Sequence, residues 1–135
     1  MSELVDEPGF RHAVAFVMPE VDYDTFRTKL LGIRNKEQLQ HEVMYPFLER
    51  LAAMTSDSIT ADGIDLVEAG KAYTFMTNHR DIVLDASFLN LCFLRTGKPT
   101  SEIAIGNNLL IYEWISDLVR LNKSFIVKRN LPISR

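Results

Sequence analysis

Ala72-Tyr73-Thr74-Phe75-Met76-Thr77, running into Asn78-His79-Arg80-Asp81-Ile82-Val83-Leu84-Asp85, is the stretch on which the fold turns. Residues 72–77 hold two aromatic and two β-branched side chains and no glycine or proline, and so read as a strand. Residues 82–96 carry a helical pattern that Gly97 and Pro99 bring to an end. Residues 102–105 read as a second strand, 109–121 as a further helix and 124–128 as a third strand. Strands alternating with helices imply parallel pairing with right-handed crossovers. The expected fold class is α/β: N-terminal helices followed by a β-α-β-α-β unit with a mainly parallel sheet.

Upstream of this stretch the pattern changes. Residues 55–70, rich in Ser, Thr, Asp and Gly, read as a connection holding at most a short strand or helical turn. Residues 22–54 look helical in two segments. Asp22 is a natural N-cap for the first and Gly32 its stop; Asn35 caps the second, with Gln38 placed as in a capping box. Leu39, Val43, Phe47, Leu48 and Leu51 then line one face, a stripe that packs on a core or, less commonly, docks on lipid. His41 falls off that stripe and is expected at the surface. The resulting division is a helical region and connection over residues 1–70 and the start of an α/β domain over residues 71–135.

Charge and cysteine usage narrow the function classes. The chain of 135 residues has 15 basic and 18 acidic side chains, which argues against a nucleic-acid partner, whose footprint is a basic excess. Cys92 is the only cysteine and lies in an apolar run, so neither a disulfide framework nor a cysteine-rich zinc site is available, and a cytoplasmic setting fits. The first residues are acidic where a signal peptide is basic, and no apolar run approaches the ~20 residues needed to cross a bilayer. Any membrane contact is therefore expected to be peripheral.

The chemistry-bearing residues lie at the end of the first strand. In open α/β sheets the crevice beyond the carboxyl ends of the strands receives ligands, and a histidine there beside a carboxylate acts as an oriented general base. His79 occupies that position, with Asp81 and Asp85 following. The signal is weak alone, because a histidine beside acids is more often a solvated surface residue and Asp81 also suits an ordinary helix cap.

Asn78-His79 followed by Asp85 and then Ala86-Ser87-Phe88-Leu89-Asn90 resembles the first sequence block of the glycerolipid acyltransferase superfamily. Residues 104–129 resemble the section leading to that family's second block, where an apolar strand ends in arginine, here Arg129. The order of the two blocks agrees over roughly residues 60 to 130, and the likeness is to the glycerol acyltransferase group of Bacteroides-like bacteria. One departure concerns the spacer: five residues separate His79 from Asp85, one more than the family pattern. Asp85 is the expected partner of His79 and Asp81 its rival.

The resemblance implies transfer of an acyl group from an acyl thioester, bound to coenzyme A or acyl carrier protein, to the hydroxyl of a glycerol phosphate or lysophosphatidic acid. No cofactor and no metal are expected. His79 would take the hydroxyl proton, Asp85 would orient the imidazole, and Arg129, supported by Lys128, would hold the acceptor phosphate, with Arg80 in a phosphate or local structural role. The family's third and fourth blocks are not found before Arg135. A truncated acyltransferase domain is therefore expected, with an incomplete acceptor site and a strand edge that either drives self-association, through strand pairing or exchange of a terminal segment, or is hidden under the N-terminal helices.

Two rivals fail on their motifs. His79-Arg80-Asp81 spells the opening of a protein-kinase catalytic loop, but Ala86 stands where the magnesium-binding Asn belongs, and neither a Gly-rich loop nor Asp-Phe-Gly is present. A serine hydrolase needs a Gly-x-Ser-x-Gly elbow, also absent. The remaining alternative is a non-catalytic α/β lipid-binding or interaction module. Tyr112 and Trp114 either line a pocket or, like most aromatics at helical spacing, belong to the core.

Overall fold

The computed structural model describes residues 1–78, 80, 81 and 83–128. In chain order its elements are α1 (Ser2–Asp6), α2 (Pro8–Val17), α3 (Tyr23–Gly32), α4 (Lys36–Leu39), a π-helical turn (Gln40–Met44) and α5 (Tyr45–Thr55). After α5 come a 3₁₀ turn (Ile64–Leu66), α6 (Leu84–Arg95), β1 (Ile103–Gly106), a 3₁₀ turn (Asn107–Leu109), α7 (Glu113–Leu121) and β2 (Ser124–Val127). Two compact units result, Met1–Leu39 with Glu102–Arg135, and Gln40–Ser101. They follow contacts in space, whereas the division at residue 70 follows the order of motifs.

In the first unit, local chemistry sets the helix starts. Pro8 opens α2, where its missing N–H costs nothing because the first turn has no intrahelical acceptor. Asp22 caps α3 by accepting from the Thr25 backbone N–H (2.9 Å) and hydroxyl (2.6 Å). Ahead of α4, Asn35 accepts from the Gln38 N–H (2.7 Å), and the Gln38 side chain returns to the Arg34 N–H (2.9 Å). The reciprocal pairing expected of a capping box is present, with its return bond one residue further back.

Leu4, Val5, Phe10, Val14 and Leu30 are buried, each worth about 1.5–3 kcal/mol relative to exposure. Trp114 of α7 meets the Phe10 ring edge-on at 6.2 Å and lies so close to Gly9 that an added Cβ would sit 2.8 Å from its Nε1. Trp114 is thus a packing residue, whereas Tyr112, just ahead of α7, is exposed. The sheet is β1 and β2 paired in parallel, with Ile103 opposite Ser124 and Gly106 opposite Val127. A parallel pair cannot be closed by a hairpin, and α7 supplies the crossover.

In the second unit, the π-helical turn has an identifiable cause. Pro46, in the first turn of α5, offers no N–H to the preceding turn, and its ring crowds the carbonyl four residues earlier; widening the helix relieves both. Beyond it, Leu48 and Ala52 of α5 pack with Leu91 and Leu94 of α6, and Tyr45, Phe47, Leu51, Ile59 and Phe88 close around them. Arg95 binds Glu49 through both carboxylate oxygens (2.8 and 2.7 Å). Gly97, at φ +68°, ends α6: the left-handed conformation lets the Lys98 N–H return to the Phe93 carbonyl (2.8 Å). The buried Asn90 side chain accepts from the Ser101 N–H (2.8 Å) and hydroxyl (2.9 Å).

The α/β class holds in its coarse form, as helices with a small parallel sheet. The first expected strand does not: residues 72–77 are exposed and irregular, and the described sheet consists of β1 and β2 alone. A strand exists only when its N–H and C=O groups meet a ladder partner, which residues 72–77 lack among the described residues. Their alternation is expressed in side chains instead. Tyr73 and Phe75 stack on each other at 6.0 Å, and Phe75 rests on the buried Phe93 at 5.3 Å. No described helix is long and apolar enough to cross a membrane.

Candidate functional site

Asn78, Arg80, Asp81 and Asp85 form a turn that leads into α6. The Arg80 N–H donates to Asp85 Oδ2 (2.8 Å) and to the Asn78 carbonyl (3.1 Å), and the Asp81 N–H donates to the same Asp85 oxygen (3.1 Å). In the other direction, Asp81 Oδ1 accepts from the Val83 N–H (2.8 Å) and the Leu84 N–H (2.7 Å). The two aspartates thereby accept from four backbone N–H groups in the turn, of which that of Leu84 opens α6 and has no intrahelical acceptor of its own. Asp81 lies two residues ahead of the N-cap, Val83, and accepts from the N–H groups of the cap and of the first helical residue. Asp85, a turn further on, reaches back as the acidic member of a capping box does.

His79 and Arg129 lie outside the described residues. The expected strand leading to His79 is missing from residues 72–77, so the described chain brings Arg80, Asp81 and Asp85 together in a helix-entry turn rather than at the mouth of a sheet. Lys128 follows β2 and is exposed; it belongs to the first unit, whereas Arg80, also exposed, belongs to the second.

No family model, curated protein or solved structure matches the chain. The candidate site therefore rests on its own residues. Chemically, the turn presents two carboxylates anchored by backbone donors, so their positions are set by the chain and not by long flexible stems. Among the described residues no group of three His, Cys, Asp or Glu side chains is arranged to hold a metal ion.

Next to the turn lies a feature that a motif-led reading passes over. Leu66, Tyr73, Phe75 and Met76 are exposed, Met76 by 93%. The Tyr73 hydroxyl accepts from the Glu68 N–H (3.0 Å), which ties this irregular segment back to the 3₁₀ turn at Ile64–Leu66. Lys98 Nζ donates to the Val67 carbonyl (2.6 Å) and pins the same segment from the end of α6. The available signal was composition: Tyr73, Phe75 and Met76 put three large apolar side chains within four residues.

Proposed function

We propose that the protein is an O-acyltransferase that moves a fatty acyl group from an acyl thioester, acyl-CoA or acyl carrier protein, to the hydroxyl of a glycerol phosphate or lysophosphatidic acid. The reading is supported by the ordered blocks around His79 and Arg129. One structural observation supports it: the Asp85 carboxylate is held in place by the backbone N–H groups of Arg80 and Asp81. In this reaction the His79 imidazole removes the acceptor hydroxyl proton as the oxygen attacks the thioester carbonyl. The new ester C–O bond forms, the C–S bond breaks, and the departing thiolate takes up the proton. Asp85, or Asp81 in its place, orients the ring, and Arg129, Lys128 and Arg80 receive the acceptor phosphate. The setting is cytoplasmic, peripheral to the inner face of the cytoplasmic membrane.

The exposed apolar segment around Tyr73, Phe75 and Met76 favours a second reading, a non-catalytic lipid-binding or interaction module. The half-exposed Phe125 and Val127 of β2 favour self-association through that strand. Acyl transfer to lysophosphatidic acid and to glycerol phosphate, measured with both thioester donors, separates the two readings. Replacement of His79 by Ala is expected to cost roughly 10²–10⁴-fold in turnover. Near-normal turnover by the variant overturns the general-base role, and lipid binding without transfer by the unaltered protein favours the module.

A further inference from the structure

We draw no further inference here: the strongest candidate, the exposed apolar patch of Leu66, Tyr73, Phe75 and Met76 on the irregular segment ahead of α6, carries nothing beyond the second reading above, because nothing in the structure shows what covers it.

Discussion

Phe75 and Phe125 sit in segments of similar composition, yet Phe125 belongs to a hydrogen-bonded ladder and Phe75 does not. Around Phe125, α7 returns the chain beside β1, so each backbone polar group lost to water on that side gains a partner. Around Phe75, ordering comes from ring contacts with Tyr73 and Phe93, and the backbone stays exposed. Side-chain alternation and strand pairing are therefore separable: the first is a property of six residues, the second of two distant segments.

That contrast is open to direct attack. The largest expected effect is at Phe93, which is 2% exposed and supports Phe75. Phe93→Ala should cost about 3–5 kcal/mol in urea unfolding, as emptied aromatic core sites do. Native-state hydrogen exchange should show residues 72–77 exchanging quickly already in the unaltered protein, and the β1–β2 ladder amides slowly. Equal protection of both segments would mean that residues 72–77 have found a ladder partner.

At the turn, Asp81→Ala should lose about 1 kcal/mol, the usual worth of a side-chain cap, while Asp81→Asn, which keeps the acceptor oxygen, should lose less. Equal losses would show that the charge of Asp81, rather than its hydrogen bonds to Val83 and Leu84, carries the effect.

The joint between α7 and β2 offers a smaller change of opposite sign. Lys123 adopts φ +55°, a left-handed conformation that costs a side-chain-bearing residue about 1–2 kcal/mol. Lys123→Gly should raise the unfolding free energy read from urea titration by no more than about 1 kcal/mol, and the midpoint with it, because glycine loses extra chain entropy on folding. A lowered midpoint would show that the lysine side chain contributes more than its backbone costs.

Smallest is a pH effect in the second unit. The Glu49 carboxyl is held below its ordinary value, first by its hydrogen bond from Arg95. A carboxyl lowered on folding contributes stability above its unfolded value of about 4.3, and that contribution fades as pH falls through the lowered folded value. Between about pH 6 and pH 3 the unaltered protein should therefore lose slightly more stability than Glu49→Gln, the difference being small for an exposed pair. Parallel pH profiles would remove the pair from the forces joining α5 to α6.

Features encoded within a few residues were legible in the sequence. Asp22 and Asn35 as caps, Gly97 as the end of α6, and the β1–α7–β2 crossover all depend on local residue types or on periods longer than one turn. The state of residues 72–77 was not legible, because their strand signal specifies which side chains share a face and leaves the partner unstated. The π-helical turn escaped for a related reason: the stripe from Leu39 to Leu51 counts on even spacing, and Pro46 disturbs the backbone without breaking the apolar pattern. At the candidate site, the sequence singles out Asp81 and Asp85 as acids, but their backbone partners depend on the geometry of the turn between them.

The first unit is assembled from both ends of the described chain, with Gln40–Ser101 forming the second unit between them. A polypeptide leaving the ribosome presents its residues in order, and contiguous stretches can begin to fold as they emerge. Gln40–Ser101 can therefore acquire its core while the N-terminal helices still wait for their partners. Until Trp114 emerges, Phe10 lacks the ring that meets it in the finished fold. Before that point the apolar face of α2 lacks part of its final cover, and apolar surface left open on an incomplete chain is the kind that neighbouring chains and chaperones bind.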